Sequence, residues 1–252
     1  EEEFGSDVAL LVDGVTKVEN IAFRSKKHKQ AENFTKLFLS LARDLRVIII
    51  KFADRLNNME TIQYLSSKKR KEIALETKEI FVPLAHRLGM AKLKWKLEDL
   101  SLKCLDLRAF NGIKKKIETS SRLNEDILSN AIKPIKSELN TYKIKSNIFG
   151  RYKSISSIHR KIEKSGKKFE EIYDLYAIRI VVDKIEECYL ALGVIHSIYP
   201  PIQDRFKDFI ATPKTNGYQS IHTTVLTKDN RLTEFQIRTK DMDYTAEVGV
   251  AA

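Results

Sequence analysis

The first half of the chain has the hydrophobic spacing of α-helices. Apolar residues recur at intervals of three and four over 31–50, 68–88 and 92–105, which predicts one apolar stripe on each of these helices. Pro83 lies within the second segment and Gly89 follows it, so we expect a kink or break near Pro83.

A less regular stretch follows and suggests a division of the chain. Residues 111–122 are polar and loosely patterned, and a weaker helical pattern runs over 123–142. We interpret 108–142 as a helical connector between two domains, each long enough to bury its own core. The predicted domains are an incomplete all-α domain over 1–107 and a second domain over 143–252.

The second domain has the periodicity of strands alternating with helices. A strand is predicted to end at Gly150, Ser154 is placed to cap a short basic helix, and the apolar segment 172–182 is predicted to be a central strand. A helix over 185–198 precedes a hairpin, IHTTVL and LTEFQIR joined by TKDN. This order predicts an α+β fold, a mixed β-sheet flanked by helices.

Composition is that of a soluble globular protein, with 42% hydrophobic and 31% charged residues. No apolar run is long enough to cross a membrane. Cys104 and Cys188 have no CxxC spacing, so we expect buried free thiols in a reducing, cytoplasmic setting.

The net charge of +11 is concentrated in one segment. Residues 143–170 contain nine Lys/Arg against two acids, whereas 201–252 contain seven of each. A local excess of this kind indicates a focused anion site. Nucleic acid, a nucleoside triphosphate and ribosomal RNA all remain compatible with it.

The segment 205–238 contains the densest group of candidate site residues. Its loop carries side chains suited to phosphates and to a base, namely Lys207, Lys214, Asn216, Tyr218, Gln219 and His222. Alternation places Glu234 with Gln236 and Arg238 on one face of the last strand. A carboxylate beside a cationic loop predicts a metal-assisted reaction on a phosphorylated nucleotide. The alternative is a hairpin whose outer face is only solvated.

The segment GRYKSISSIHRKI contains a second cationic group. Arg151 and Lys153 leave the strand, while Ser157 and Lys161 project from the following helix. A helix start of this kind suits a triphosphate, although no GxxxxGK[ST] loop occurs. A basic, exposed helix is the alternative.

Isolated acidic residues complete the candidates. Asp174 and Arg179 lie in or beside an apolar strand, where a charge is costly unless it is paired or used. Asp174 and Glu234 are predicted to hold Mg²⁺ together, with substrate phosphates completing its shell. Asp54 and Asn58 share one side of a helix and could share a metal or a water, although a solvated or capping Asp54 is the simpler interpretation.

Several motifs occur in the order found in one bacterial family. They are DGVTK, KFADRLNNM, FVPLAHRLGM, KWKLEDL, GRYKSISSIHRKI, FEEIYDLYAIRIVV, RFKDFIATPKTNGYQSIHTTV and EFQIRT. Through these motifs the chain resembles the catalytic half of the RelA/SpoT-type bifunctional alarmone synthetase/hydrolases over nearly its whole length. The resemblance is weakest over residues 108–145.

The resemblance implies an all-α, HD-type hydrolase domain followed by a nucleotidyltransferase-like synthetase domain. Such synthetases transfer the pyrophosphate of ATP to the 3′-hydroxyl of GDP or GTP, forming (p)ppGpp, and pyrophosphoryl transfer depends on charge neutralisation and in-line positioning. The resemblance also implies contact with the ribosome through C-terminal domains, which we expect to be missing from these residues.

The resemblance also assigns site residues. Asp174 and Glu234 are the Mg²⁺ carboxylates, and Glu234 also draws the 3′-OH proton. Arg151 and Arg179 flank adenine, while the ATP phosphates meet Lys153 and Ser157, with added charge from Lys161. The phosphates of GDP or GTP meet Lys207, Lys214 and His222, with Asn216 at the guanine edge and the ring of Tyr218 on its face.

The hydrolase half of the family pattern is incomplete. The resemblance makes Asp54 a Mn²⁺ ligand, with Asn58 in the same segment, but the family's HDxxED motif and its preceding His are absent from these residues. We expect a chain lacking the family's first segment, and no hydrolysis by these residues alone. The sequence RFKD at 205–208 resembles the basic loop of the bifunctional enzymes.

Two alternatives to this interpretation remain. One is a catalytically degenerate relative that binds guanine nucleotides or ribosomal RNA, and the other is a different nucleotidyltransferase on the same sheet. The presence of both Asp174 and Glu234 argues against the first. The loop around Tyr218 argues for guanosine and against the second.

Overall fold

The computed structural model of the protein describes residues 2–16, 44–166, 169 and 175–251, without the side chains of 120–125 and 251. The chain forms two compact units, residues 1–66 and 67–252. No helix in the described ranges is long and apolar enough to cross a membrane.

The first unit is helical where it is described. Helix α1 (Gly5–Val15) packs against helix α2 (Leu45–Glu60), and a 3₁₀ turn follows at Ile62–Tyr64. The predicted single helix over 31–50 is wrong, because Asp44 is extended and its carboxylate accepts a hydrogen bond from the backbone N–H of Arg46 at 2.8 Å. That cap starts a new helix, which continues ten residues beyond the predicted end. Residues 31–43 lie outside the described ranges.

The second unit begins with three short helical segments, α3 (Ser67–Glu76), a π-helical turn (Thr77–Phe81) and α4 (Val82–Arg87). The break expected near Pro83 is confirmed by this π-helical turn. Proline has no N–H to donate to the preceding turn, so the regular ladder of hydrogen bonds cannot pass through it. Gly89 then reverses the chain with a φ of 73° and leads into α5 (Ala91–Leu105).

Helix α6 (Leu107–Thr141) is continuous for 35 residues, so the loosely patterned 111–122 are helical. The carboxylate of Asp106 accepts from the backbone N–H of Ala109 and caps its start. The polar residues that weaken the pattern lie mostly on the exposed side. The C-terminal half buries Leu128, Ala131, Ile135 and Leu139 in the core of the second unit, so this part of the helix belongs to that core. The domain limits at 107 and 142 stay a prediction.

The mixed sheet that the strand order predicts is present. Its strands are β1 (Asn147–Tyr152), β2 (Tyr176–Val182), β3 (Lys207–Asp208), β4 (Ile221–Leu226) and β5 (Leu232–Thr239). Their spatial order is β1-β2-β5-β4-β3, with β2 and β5 parallel and the other pairs antiparallel. The remaining helices are α7 (Ile155–Ser165), α8 (Ile185–Ile198) and α9 (Lys240–Val248).

Two strand limits differ from the sequence pattern. Strand β1 does not end at Gly150 but continues to Tyr152, and a Cβ at Gly150 would lie 2.6 Å from Cδ1 of Leu128. The glycine therefore marks the close approach of α6 and not a strand end. Strand β2 is described from Tyr176, and residues 172–174 lie outside the described ranges.

The sheet has one apolar and one polar face, and this alternation positions the site. Ile178 and Ile180 of β2 and Phe235 and Ile237 of β5 are fully buried in the core with α6 and α8. The opposite face carries Arg151, Arg179, His222, Glu234, Gln236 and Arg238, as the strand registers require. The predicted placement of Glu234, Gln236 and Arg238 opposite Phe235 and Ile237 is confirmed.

The two cysteines are free thiols, as predicted, but only one is fully buried. Burial within α8 raises the pKa of the Cys188 thiol to about 12. Cys104 is half-buried, with its sulfur 3.6 Å from the carbonyl oxygen of Arg70. It lies at the C-terminal end of α5, beside α3, where the core is not closed.

Gly249 allows the end of α9 to contact the turn before α5. Its φ is 67°, and an added Cβ would lie 2.5 Å from the carbonyl carbon of Gly89 and 2.6 Å from the nitrogen of Met90. We expect Gly249→Ala to lower the free energy of unfolding by about 2–4 kcal/mol, because backbone atoms cannot move aside cheaply. Urea unfolding followed by circular dichroism measures this.

Gly193 is the matched control, because it lies in α8 with nothing within 4 Å of an added Cβ. Gly193→Ala should raise the free energy of unfolding by about 0.5–1 kcal/mol. Equal effects of the two substitutions would contradict the close approach at Gly249.

Candidate functional site

A cavity of about 410 Å³ lies in the second unit, over the polar face of the sheet. Its size suits a small-molecule ligand. Helices α4 and α5 contribute His86, Lys94 and Trp95, the turn between them contributes Gly89, and the loop before β4 contributes Lys214, Asn216 and Tyr218. The sheet, α7 and α9 contribute Arg151, Lys153, Ser157, Arg179, His222, Gln236, Arg238 and Glu247.

Two arginines on neighbouring strands share one carboxylate of α9. The Nη1 atoms of Arg151 and Arg179 each donate to Oε1 of Glu247 at 2.8 Å. Arg179 is 4% exposed and also donates to Asp243 at 2.9 Å. Burial lowers the pKa of Arg151, and the neighbouring Arg179 lowers it further. Two guanidinium groups in a half-buried site require nearby anions, which α9 supplies.

Trp95 stacks on the outer arginine of this pair. The guanidinium carbon of Arg151 lies 3.8 Å from the centroid of the Trp95 ring, within the range of a cation–π interaction. Trp95 is the single tryptophan of the chain. The contact fixes α5 over β1, so α5 forms one wall of the cavity.

The carboxylate of Glu234 is surrounded by donors. Nζ of Lys153 lies 3.3 Å from Oε2, Nδ1 of His222 lies 3.2 Å from Oε1, and Nε2 of Gln236 donates to Oε1 at 3.1 Å. Burial alone would raise the pKa of Glu234, but the His222 hydrogen bond and the charge of Lys153 outweigh it and hold the pKa well below the ordinary value. Glu234 is therefore ionised at neutral pH.

Aromatic rings and a cation are packed together in the loop before β4. Nζ of Lys214 lies 4.4 Å from the ring centroid of Phe209 and 4.8 Å from that of Tyr218. Burial lowers the pKa of Lys214, as do the charges of Lys207 and Lys94. Asn216 donates from Nδ2 to the carbonyl oxygen of His86 at 3.1 Å and thereby ties the loop to α4.

The N-terminus of α7 lies at the edge of the cavity. The hydroxyl of Ser154 accepts from the backbone N–H of Ser157 at 3.3 Å, which confirms Ser154 as the cap. Asp99 of α5 accepts from the N–H of Ser156 at 2.8 Å. Two of the free backbone N–H groups at this helix end therefore already have an acceptor. Ser157 itself lines the cavity.

The structure brings most of the predicted nucleotide residues together. Those lining one cavity are Arg151, Lys153, Ser157, Arg179, Lys214, Asn216, Tyr218 and His222, and Glu234 contacts two of them. Lys161 and Lys207 do not line it. Asp174 lies outside the described residues, so its pairing with Glu234 stays a prediction.

The predicted hydrolase residues are close to one another in the first unit. Nδ2 of Asn58 donates to Oδ1 of Asp54 at 3.1 Å, and both side chains are exposed. In the described parts of the chain no group of three or more His, Cys, Asp and Glu residues could hold a metal ion.

Sequence reasoning missed several residues of the cavity. Trp95, Lys94 and His86 come from helices assigned to the other domain, and Glu247 with Asp243 comes from a C-terminal helix that was not predicted. The alternation along LTEFQIR did place Gln236 and Arg238 beside Glu234, although it gave them no role. No local pattern marks Trp95 or Glu247, because their roles depend on contacts distant in sequence.

Comparison with known families divides the chain in the same order. Residues 1–91 match the model of the HD domain, and residues 150–252 match the model described as the region found in RelA/SpoT proteins. The chain therefore contains an HD region followed by a region found in RelA/SpoT proteins. The α+β fold with a leading HD region is therefore confirmed.

Curated relatives align with nearly all of the chain. It is 45% identical to a guanosine-3′,5′-bis(diphosphate) 3′-pyrophosphohydrolase of Spiroplasma citri over 100% of this chain and 34% of the relative. It is 44% identical to a GTP pyrophosphokinase of Streptomyces antibioticus over 99% of this chain and 30% of the relative. The chain spans about a third of the length of these relatives.

Solved structures align with about half of the chain. Small alarmone synthetase 1 of Bacillus subtilis, bound to its product pppGpp, is 21% identical, with a TM-score of 0.41 over 54% of this chain and 78% of that one. Small alarmone synthetase 2 of Bacillus subtilis is 29% identical, with a TM-score of 0.42 over 53% of this chain and 75% of that one.

The ionised Glu247 stabilises the fold in a pH-dependent way. Burial alone would raise its pKa, but the hydrogen bond from Arg179 and the charge of Arg151 hold the pKa below the ordinary value. This stabilisation is complete above the ordinary glutamate pKa of about 4.3 and is lost as the pH falls through the lowered value. We expect Glu247→Gln to be less stable than wild type at pH 7, with the difference shrinking towards pH 3.

Urea unfolding at a series of pH values measures that difference. Glu163→Gln is the control, because the Glu163 side chain is 65% exposed, and it should change stability little at any pH. A Glu247→Gln difference that did not vary with pH would contradict the role of the ionised carboxylate.

Proposed function

We propose that this chain carries a (p)ppGpp synthetase site, which transfers the β,γ-pyrophosphate of ATP to the 3′-hydroxyl of GDP or GTP. The observation that carries the proposal is the Glu234 carboxylate, kept ionised at the edge of a cavity with cationic groups on two sides. The names of the curated relatives support the same chemistry, as synthetase and as hydrolase.

We place ATP on the side of the cavity formed by β1, β2 and α7. Arg151 and Arg179 offer guanidinium planes to adenine, and Lys153 with Ser157 offers donors to the phosphates. Nε of Arg179 is buried without a hydrogen-bond partner among the described residues, so an acceptor on the ligand or a water would satisfy it. Lys161 would add only longer-range charge, since it does not line the cavity.

Adenine cannot lie between the two arginines as they are arranged here. Their Nη1 atoms are at most 5.6 Å apart, because each lies 2.8 Å from the same oxygen of Glu247. A ring stacked between two parallel guanidinium planes needs about 7 Å, from two contacts of about 3.5 Å. ATP binding in that mode therefore requires Glu247 to release one of the two arginines.

We place GDP or GTP against the loop before β4. Lys214 and His222 are cationic or polar groups for its phosphates, and Lys207 lies close enough to lower the pKa of Lys214. The ring of Tyr218 would stack on guanine. Asn216 would read the guanine edge after exchanging its hydrogen bond to His86.

The residues at Glu234 fit a divalent cation such as Mg²⁺. Mg²⁺ in nucleotide sites takes one or two carboxylates and completes its shell with phosphates and water. Glu234 is an ionised, half-buried carboxylate in a cavity able to hold phosphates, and Asp174 is the proposed second ligand. When bound, the cation would neutralise the charge of the transferred pyrophosphate. Lys153 already makes such a contact with Oε2 of Glu234 and would have to shift.

The chemistry is an in-line displacement at phosphorus. The 3′-oxygen of the acceptor forms a bond to the β-phosphorus of ATP, the bond from that phosphorus to the α,β-bridging oxygen breaks, and AMP leaves. Lys153 and the two arginines offset the developing charge. Glu234 orients the 3′-hydroxyl, and it accepts the proton only late in the reaction because a carboxylate with a lowered pKa is a weak base.

The HD match supports a second, hydrolytic site in the first unit. There we propose Asp54 as a ligand of Mn²⁺, with Asn58 as the donor that orients it. The described residues around Asp54 do not by themselves form a metal site, so we assign no catalytic step to them. A cytoplasmic location is proposed from the two free cysteines, and contact with the ribosome from the family resemblance alone.

A degenerate relative that only binds nucleotides or ribosomal RNA is not favoured. Holding Glu234 ionised among Lys153, His222 and Gln236 requires a dedicated set of contacts. Both named relatives are enzymes. Pure binding of anionic nucleotides does not need a carboxylate at this position, since the carboxylate repels phosphate.

The direct test is to incubate the protein with ATP, GDP and MgCl₂ and to resolve the nucleotides by anion-exchange chromatography. We expect AMP and guanosine tetraphosphate to appear in equal amounts. Consumption of ATP without the tetraphosphate, or no consumption at all, would rule out the proposed transfer.

Glu234→Gln should lower kcat by at least about a thousandfold, because the neutral amide can neither hold the cation nor orient the hydroxyl as a charged acceptor. The amide keeps the size of the side chain, so ATP and GDP should still bind, as isothermal titration calorimetry can show. Glu163→Gln is the charge-matched control and should retain the wild-type rate. Turnover of Glu234→Gln near the wild-type rate would remove Glu234 from the mechanism.

The single tryptophan offers a direct readout of the ATP side. Because Trp95 stacks on Arg151, we expect a non-hydrolysable ATP analogue to change tryptophan emission and GDP alone to change it much less. Arg151→Ala should weaken the titrated affinity for the analogue by at least about fivefold. Arg231→Ala, at the exposed hairpin turn, is the control. Identical titrations for wild type and Arg151→Ala would contradict the proposed ATP side.

A further inference from the structure

A closed ring of hydrogen bonds connects Arg238 with Glu234 on the polar face of the sheet. On one side, Nη2 of Arg238 donates to the hydroxyl oxygen of Tyr218 at 2.8 Å, and that hydroxyl lies 2.7 Å from Nε2 of His222. Nδ1 of His222 lies 3.2 Å from Oε1 of Glu234. On the other side, Gln236 accepts from Nη2 of Arg238 and donates to Oε1 of Glu234, each at 3.1 Å.

The donors and acceptors in this ring fix the direction of every bond. A guanidinium group can only donate, so the oxygen of Tyr218 is the acceptor towards Arg238. An ionised carboxylate can only accept, so neutral His222 carries its proton on Nδ1, where it points at Glu234. Its Nε2 is then an acceptor, and the remaining hydroxyl hydrogen of Tyr218 is directed to it.

The anchor of the ring is the buried guanidinium of Arg238. Arg238 is 1% exposed and keeps its charge at any relevant pH. Phe209 packs edge-on against both other rings, with centroids 6.1 Å from Tyr218 and 5.4 Å from His222. The ring therefore directs two donors to one oxygen of Glu234 and leaves the other oxygen towards Lys153.

We propose that the hydroxyl of Tyr218 is a positioning group for pyrophosphoryl transfer. Together with Arg238, it fixes the orientation of His222, and through His222 it sets the orientation of the Glu234 carboxylate. This role is separate from stacking of the Tyr218 ring on guanine, and it rests on the synthetase function proposed above. Catalysis depends on holding a carboxylate of this kind within a few tenths of an ångström of its productive position.

The proposal changes what Tyr218→Phe is expected to do. If only the ring face mattered, as the sequence alone suggests, phenylalanine would replace tyrosine with little loss. If the hydroxyl positions His222, phenylalanine leaves Arg238 and His222 each without one partner, although the stacking surface remains. The first view predicts no change, and the second predicts a slower reaction at unchanged GDP affinity.

Steady-state kinetics separate these views. We expect Tyr218→Phe to lower kcat by about ten- to a hundredfold, as the loss of a buried hydrogen bond to charged groups implies, with the KM for GDP within about twofold of wild type. Tyr218→Ala should in addition raise the KM for GDP by about ten- to a hundredfold through lost stacking. Tyr244→Phe is the control, because Tyr244 is 59% exposed on α9, and it should match wild type in both constants.

A double substitution tests whether Tyr218 acts through His222. Tyr218→Phe combined with His222→Gln should be no slower than His222→Gln alone, because the hydroxyl has nothing left to orient. If the losses in kcat from the two single substitutions added up in the double variant, Tyr218 would not act through His222.

Imidazole nitrogen NMR gives a readout that does not require turnover. The chain has five histidines, so ¹⁵N-labelled histidine resonances can be assigned with a His222→Gln sample. We expect His222 to be protonated at Nδ1 in wild type, with Nε2 accepting from Tyr218, and we expect the ¹⁵N resonance of Nε2 to shift in Tyr218→Phe, where that hydrogen bond is lost. If wild type made no tetraphosphate, the synthetase function would fail, yet this measurement would still decide whether the hydroxyl holds Nε2 of His222.

Three results would overturn the proposal. They are a wild-type kcat for Tyr218→Phe, a raised KM for GDP with unchanged kcat, and an unchanged Nε2 resonance of His222 in that variant. Circular dichroism of Tyr218→Phe checks the fold, and a variant that failed to fold is replaced by Arg238→Lys. Lysine keeps the charge, but its shorter side chain places the ammonium nitrogen short of the position of Nη2 between Tyr218 and Gln236, so kcat should again fall with the KM for GDP retained.

Discussion

The structure of the second unit depends on the burial of positive charge on one face of a β-sheet. Arg179 and Arg238 are 4% and 1% exposed, and Arg151 lies beside them. Charges this poorly solvated are tolerated only when anions or acceptors surround them. Helix α9 supplies Asp243 and Glu247, while Tyr218 and Gln236 supply neutral acceptors. The apolar face needs no such arrangement and packs simply against α6 and α8.

The same cations explain both stability and chemistry. A site for two phosphorylated ligands needs several positive groups within a small volume, and these groups repel one another when no ligand is bound. Here carboxylates from the chain offset that repulsion, with Glu247 between two arginines and Glu234 beside Lys153. Ligand phosphates would therefore compete with internal carboxylates, so that binding and local rearrangement are coupled.

The sequence predicted the parts of this site that depend on backbone period. The placement of Glu234 opposite Phe235 needed only alternation along one strand, and the cap at Ser154 needed only local residue chemistry. Helix α6 was not predicted as one helix, because a polar exposed face hides helical spacing. Trp95, Asp243 and Glu247 could not be predicted from the sequence, since their roles arise where α5 and α9 cross the sheet. Sequence pattern therefore predicts local placement well and contacts between distant segments poorly.

Helix α5, except for its first residue, lies in the stretch between the two matched family regions, 1–91 and 150–252. Trp95 covers Arg151, Glu98 accepts from Arg160 at 2.6 Å, and Asp99 caps α7. A protein trimmed to the matched region 150–252 would expose the guanidinium of Arg151 and remove the Asp99 acceptor from the start of the helix beside it. The functional module is thus larger than the recognisable one, and dissection or transplantation of this site has to include a helix that lies almost wholly outside both regions.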